Sequence, residues 1–127
     1  MKSSEPKGKV SVLVVDDNEP MRETIASILS EKGHQCESAE NGLEALQKCK
    51  RNKFDAVVTD LDMPGMDGMT LTRELTRCFL DLPVMLMTAD DDDSLEGSAR
   101  DAGAKEFLRK PFDVSEFLTK FHRMLDV

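Results

Sequence analysis

No stretch of this chain approaches the about 18 consecutive apolar residues needed to cross a bilayer, so no membrane insertion is expected. The start, Met1-Lys2-Ser3-Ser4-Glu5-Pro6-Lys7-Gly8-Lys9, lacks the apolar core of a secretory signal, and residues 1–8 are expected to form a flexible tail. Positive charge is in deficit: 17 Lys and Arg stand against 25 Asp and Glu, a formal net charge of −8. Nucleic-acid backbones are gripped by clustered basic residues, and no basic stripe is visible, so direct nucleic-acid binding is not expected. The cysteines are few. Cys36, Cys49 and Cys78 are odd in number and without metal spacing, so they read as reduced core thiols in a cytoplasmic protein. His34 and His122 lie outside every motif described below and carry no assigned role. Internal repeats and low-complexity linkers are missing too, which leaves one domain over residues 9–127.

What the chain does have is a regular alternation. Val10 to Val15 is nearly continuous in apolar residues, as a strand buried on both faces would be. Met21, Ile25, Ile28 and Leu29 then share one helix face, opened by Pro20 and closed by Gly33. A weaker strand spans Gln35 to Ala39, followed by a helix with Asn41 as N-cap, Glu44 as its capping-box partner, and Leu43, Leu46 and Cys49 on its apolar face. Ala56 to Thr59 is the third strand, the Met63-Pro64-Gly65-Met66-Asp67-Gly68 stretch a turn, and Leu71, Leu75 and Cys78 mark the next helix. Val84 to Met87 is the fourth strand. Asp93 and Glu96 predict a capped helix ending at Gly103. Glu106 to Leu108 forms the fifth strand, and Asp113 with Glu116 caps a last helix bearing Val114, Phe117, Leu118, Phe121 and Leu125. Five strands alternating with five helices predict an α/β, doubly wound parallel sheet covered on both faces.

Such sheets bind ligands at the carboxyl ends of their strands. The residues there are Asp16 and Asp17 after strand one, Asp60 after strand three, Thr88 at the end of strand four and Lys110 after strand five. Three carboxylates at one rim repel one another, and a hard divalent cation relieves them. Mg²⁺ suits, because it takes one or two carboxylates and keeps positions for water and phosphate oxygens. Lys110 adds a point charge and Thr88 a neutral donor, the positioning and neutralisation that phosphoryl transfer needs. A carboxylate nucleophile can then form an aspartyl phosphate.

Four pieces carry a resemblance to the receiver domain of two-component response regulators. They are Val14-Val15-Asp16-Asp17-Asn18, the run from Val58 to Gly68 containing Asp60-Leu61-Asp62, Met87-Thr88-Ala89, and Phe107-Leu108-Arg109-Lys110-Pro111-Phe112. The resemblance spans about residues 9 to 125. It implies a flavodoxin-like strand order 2-1-3-4-5. It implies Asp60 as phosphoacceptor, Asp16, Asp17, Asp60 and the Asp62 backbone carbonyl around Mg²⁺, and Thr88 and Lys110 on the phosphoryl oxygens. Thr88 and Phe107 would be the switch pair, with Asp62 and Asp90 tuning phosphoryl lifetime. The partners implied are a histidine kinase or histidine phosphotransfer protein as donor and a downstream protein effector, with the unphosphorylated chain a monomer. No enzymatic activity is expected beyond its own phosphorylation and dephosphorylation.

Plainer readings exist for each residue. Asp16 and Asp17 could cap the first helix. Lys110 could be a surface lysine, and the Asp90 to Asp93 run a solvated loop. The Lys110–Pro111 bond is a candidate for cis geometry. Two rival functions follow from the same residues. Asp60-Leu61-Asp62 after a strand also fits a haloacid-dehalogenase-like phosphatase, although the acidic pair precedes that strand here. A degenerate receiver would bind partners without phosphorylation, but it would typically have lost an acid or the lysine.

Overall fold

The computed structural model describes residues 10–125, so the expected tail at 1–8 lies outside the described residues. The elements are β1 (Ser11–Val15), α1 (Glu19–Glu31), β2 (Gln35–Ala39), α2 (Gly42–Arg51), β3 (Ala56–Asp60), α3 (Gly68–Cys78), β4 (Val84–Thr88), α4 (Leu95–Ala102), β5 (Glu106–Arg109) and α5 (Val114–Leu125). All strand pairs are parallel and the order is β2-β1-β3-β4-β5, as expected. Among the described residues, no helix is long and apolar enough to cross a membrane.

Period-two alternation sorts the central strands between two cores. Val12, Val14, Val58, Met85, Met87 and Leu108 face one way and are covered by Ile25 and Leu29 of α1 and by Phe117 and Phe121 of α5. Leu13, Val15, Val57 and Val84 face the other way, under Ala45 and Cys49 of α2 and Leu71 and Leu75 of α3. A third cluster, on the α4 side, joins Leu61, Met69, Leu86, Ala99, Ala102 and Phe107.

Helix starts follow capping chemistry, with three departures from the sequence reading. Asn18, rather than Asp16 or Asp17, caps α1, its Oδ1 accepting from Met21 N at 2.9 Å, which leaves both aspartates for the rim. Asn41 caps α2 as expected, but the Glu44 carboxylate reaches one residue further back, to the Glu40 amide at 2.8 Å. Asp93 does not cap α4. Asp92 takes both the amide and the hydroxyl of Ser94 at 2.9 Å, and the helix begins at Leu95 with no side-chain cap.

Three apolar assignments shift as well. Leu43 is 61 % exposed, because α2 presents Gly42, Ala45 and Cys49 to the sheet. Those small residues let the helix sit close, and a side chain at Gly42 would strike Met66. Val114 is exposed because α5 reaches the sheet only at Phe117. Cys78, the last residue of α3, is exposed where the helix overhangs, and Phe79 and Leu82 pack on the core instead. Cys49 is buried as predicted, and burial pushes its thiol up to about 11, while Cys36 is half-buried.

The histidines are not isolated. His34 Nε2 lies 3.2 Å from His122 Nε2, bringing the α1–β2 turn against α5 beside the Phe121 ring. Val10 N donates to His34 Nδ1 at 3.4 Å, so the His34 proton resides on Nε2 and His122 accepts it. Burial, and then the facing His122, hold the His34 imidazole below its ordinary 6.5. Unfolding therefore takes up a proton below that value. The His34 contribution to stability is complete above about pH 6.5 and is lost as pH falls toward the lowered folded-state value. Urea denaturation between about pH 7 and about pH 5 should show a steeper loss of stability for the native chain than for His34→Gln. Parallel curves for the two proteins would remove His34 from the acid response.

Candidate functional site

Four strand ends converge on one rim. β1 delivers Asp16, buried to 1 % exposure, and the exposed Asp17 beside it. The Asp16 carboxylate is aimed by its own turn: Oδ1 accepts from Asn18 N at 3.0 Å, leaving Oδ2 toward Lys110. Its backbone carbonyl takes Arg22 Nη1 at 2.7 Å, which fixes the start of α1 beneath it. Asp60 ends β3 and is 6 % exposed. Its Oδ1 meets Lys110 Nζ at 2.7 Å, and its Oδ2 accepts from the Asp62 amide at 3.2 Å. Lys110 also reaches Asp16 Oδ2 at 3.5 Å. It is set in place by β5, since its backbone amide continues the ladder to Thr88 O at 2.7 Å and the bond to Pro111 is cis.

Thr88 closes β4, fully buried. Its hydroxyl donates to Asp62 Oδ2 at 3.2 Å and accepts from Asp90 N at 3.0 Å. Asp16, Asp17, Asp60 and Lys110 are thus assembled directly, and Thr88 joins them through Asp62. Asp90 is not turned to Asp60: its carboxylate accepts from Asp92 N at 3.0 Å, inside its own loop. Phe107 lies buried between β5 and α4, two residues before Arg109.

Burial pushes the Asp60 carboxyl above the usual aspartate range, opposed by the Lys110 hydrogen bond and charge and reinforced by Asp16 and Asp62. Burial alone would draw the Lys110 ammonium down, but its hydrogen bond to Asp60 and the charges of Asp60 and Asp16 outweigh that and raise it. The two directions have different causes, burial for Asp60 and the facing carboxylates for Lys110, and three carboxylates share one ammonium at the site.

The donor set fits Mg²⁺. One oxygen each from Asp16, Asp17 and Asp60 lies within 4.8 Å of the others, the one such acidic group among the described residues. An octahedral shell with bonds of about 2.1 Å needs oxygens about 3.0 Å apart when adjacent and about 4.2 Å when opposite, so small side-chain movements suffice. The Asp62 carboxylate is outside this group and occupied with Thr88.

The loop under the metal-binding edge depends on a residue that the sequence reading treated only as part of a turn. A Cβ on Gly68 would lie 2.1 Å from the Asp60 carbonyl oxygen and 2.8 Å from Leu61 Cα. Gly68 N donates to Leu61 O at 2.8 Å, closing the Leu61–Asp67 loop tightly against the end of β3. A glycine directly after an Asp N-cap was the available signal, and Asp67 does cap α3.

Comparison with known proteins agrees with this geometry. A family model, the response regulator receiver domain, matches residues 12–122, and the chain belongs to that family. Among curated relatives, the response regulator MprA of Mycobacterium sp. (strain KMS) is 40 % identical over 116 residues, which are 91 % of this chain and 50 % of that protein. The chain thus spans about half the length of the curated relatives it matches. Among solved structures, TrrA of Thermotoga maritima in complex with Mg²⁺ and BeF superposes with a TM-score of 0.83 at 32 % identity, over 91 % of this chain and 98 % of that one. The chemotaxis protein CheY4 of Vibrio cholerae gives 0.86 at 27 % identity, over 92 % and 99 %. The family match and the acidic pair on β1 stand against the haloacid-dehalogenase-like alternative. The intact acid and lysine set stands against the degenerate receiver.

Because nothing at Gly68 can yield except backbone, Gly68→Ala should cost about 1–3 kcal/mol and loosen the loop at Asp60. The checks are the urea midpoint and the Mg²⁺ dissociation constant. A native midpoint together with native Mg²⁺ affinity would show that the loop has room to spare.

Proposed function

We propose that this receiver domain takes a phosphoryl group from a phosphohistidine onto Asp60. The donor would be a histidine kinase or a histidine phosphotransfer protein, and a downstream protein would read the result. One observation carries the reading: a buried carboxylate at the end of β3 is held at 2.7 Å by the Lys110 ammonium, with two further carboxylates alongside.

The chemistry follows from the partners present. An oxygen of Asp60 attacks phosphorus as the phosphorus–nitrogen bond of the donor breaks, and the imidazole nitrogen keeps the electron pair. Lys110, already on Asp60 Oδ1, passes its donor to a phosphoryl oxygen. The Thr88 hydroxyl exchanges its bond to Asp62 for one to another phosphoryl oxygen. Mg²⁺, bound by Asp16, Asp17, Asp60 and the Asp62 backbone carbonyl, would supply charge neutralisation at the remaining oxygens. Hydrolysis reverses the state: water attacks phosphorus, the bond to the Asp60 oxygen breaks, and carboxylate and inorganic phosphate are released. The chain catalyses only these two events. It acts in the cytoplasm, as a monomer before phosphorylation, and does not itself contact nucleic acid.

Thr88 and Phe107 form the switch in this reading. The expected motion is of Phe107 into the space that Thr88 vacates as it moves to the phosphoryl group. The ring already lies inside the α4-side core here, 2 % exposed, so phosphorylation would hold it there. Asp62 and Asp90 tune lifetime, Asp62 from beside Thr88 and Asp90 through the loop that its carboxylate braces.

Two outcomes are expected. Incubation with acetyl phosphate and Mg²⁺ should add one phosphoryl mass to the native chain and none to Asp60→Asn, because an amide cannot attack as a carboxylate does. Equal labelling of both proteins, by intact-mass measurement, would misplace the acceptor. Asp62→Leu should lengthen the phosphorylated lifetime, because it replaces a group that can hold an incoming water with one that cannot. Identical decay of mutant and native protein in matched Mg²⁺ would exclude Asp62 from the hydrolysis.

A further inference from the structure

Arg109, the last residue of β5, makes three contacts that no part of the phosphoryl chemistry requires. Its Nη1 donates to the Asp90 carbonyl, its Nη2 donates to the Asp92 carbonyl at 2.9 Å, and its guanidinium carbon stands 5.1 Å from the centre of the Phe107 ring. One planar group therefore touches both the β4–α4 loop and the buried aromatic. Each contact leads further. Asp90 N donates to the Thr88 hydroxyl, and Thr88 donates to Asp62 at the edge of the acidic cluster. The Asp92 carbonyl also accepts Leu95 N at 3.2 Å, the first amide of α4. The Asp92 carboxylate holds Ser94 at the same helix start.

The result is a continuous path from Asp62 through Thr88, Asp90 and Arg109 to Phe107, with a branch through Asp92 to α4. Arginine is suited to the junction. Its rigid fork spans two carbonyls while its flat face lies on a ring, whereas lysine offers a single point donor. The loop has little else to hold it. Asp90, Asp91, Asp92 and Asp93 are all exposed, and the apolar contacts of α4 come from Leu95, Ala99 and Ala102, with the Thr76 hydroxyl on the Ala102 carbonyl at its far end.

We propose that Arg109 is a positioning residue. It clasps the Asp90–Asp92 segment to the Phe107 ring, so that the Thr88 hydroxyl, the loop and the start of α4 respond to phosphorylation of Asp60 as one body. The inference rests on the phosphoacceptor reading above. Without the clasp, Thr88 still turns to the phosphoryl group, but its movement ends in a loose acidic loop.

The experiment is NMR on the full chain with Mg²⁺, titrated with beryllofluoride as the phosphoryl mimic, for the native protein, Arg109→Gln and Arg109→Lys. The Thr88 amide should shift in all three. The shifts at Phe107 and Leu95 should fall in both variants, in line with a change of about 2- to 30-fold in the linked conformational equilibrium. A general loosening of structure would not separate Thr88 from Phe107 in this way. Either variant suffices, so if Arg109→Gln does not fold, Arg109→Lys decides. Native-sized shifts at Phe107 and Leu95 in a folded variant would overturn the clasp. Native behaviour of Arg109→Lys alone would do so too, since charge over the ring would then be enough without the fork. A native chain that shows no beryllofluoride response at Thr88 would overturn the phosphoacceptor reading, and the clasp's role with it.

Discussion

The Lys110 ammonium is the interaction on which the rim depends. Buried Asp60 and Asp16 would be costly beside each other without it, because like charges out of water repel strongly and find little solvent to screen them. Lys110 meets Asp60 at 2.7 Å and Asp16 at 3.5 Å, so one cation bridges the ends of β1 and β3. It reaches them from β5, a strand separated from β3 by β4. That reach requires the β4–β5 register pairing Thr88 with Arg109, which places Lys110 one residue past the last pair. Sheet pairing and site charge are therefore one problem. The pairing that completes the sheet also supplies the cation, and a single ammonium leaves the site short of positive charge.

The opposite end of the sheet has no such deficit. Glu106 begins β5 at 5 % exposure, and Arg123 of α5 binds it through two nitrogens at 2.7 and 2.9 Å. The Arg123 hydrogen bond, helped by the charges of Arg123, Arg100 and Lys120 and opposed by burial, holds the Glu106 carboxyl below its usual range. The His34–His122 contact ties α5 to the α1–β2 turn. Acid and base are matched where α5 is anchored to β5, and mismatched where chemistry is proposed. Local stability differs accordingly: α5 buries Phe117, Phe121 and Met124, while α4 offers two alanines and a partly buried leucine.

Much of this was legible in the residues. Alternating strand and helix periods imply the layered sheet, and the polar residues that close four of the five apolar runs are Asp16, Asp17, Asp60, Thr88 and Lys110. Strand ends are legible because each apolar run must stop where the rim begins. Helix faces were harder. Leu43 is more hydrophobic than Gly42 or Ala45, but α2 turns Gly42, Ala45 and Cys49 inward, with Gly42 against Met66, and hydrophobicity does not encode that rotation. Cys78 continues the spacing of Leu71 and Leu75, yet the helix has run past the core by then. The His34–His122 pair joins positions 88 apart, and only the fold brings them into contact. Arg109 lies within the Phe107–Phe112 stretch, yet its partners are backbone carbonyls, which carry no sequence signature.

Magnitudes decide what kind of switch such a site can be. On the proposed reading, phosphorylation exchanges the Thr88–Asp62 hydrogen bond for one to a group carrying about −1.5 to −2 charges. Both acceptors are charged, the Asp62 carboxylate before and the phosphoryl group after, and hydrogen bonds to charged groups contribute about 1.5–3 kcal/mol net, so the exchange changes little. The difference is no more than about 1 kcal/mol, or a factor of about five in an equilibrium constant. That is too little to unfold or refold an element held by a packed core. It is enough to bias one whose two states are already close in energy, provided the bias is not dissipated before it arrives. A weakly packed α4 meets the first condition. A loop bound at one end to Thr88 and clasped at the other to Phe107 meets the second. The sparse packing of α4 is then a requirement of the signal, because a better-anchored helix would not respond to so small a difference.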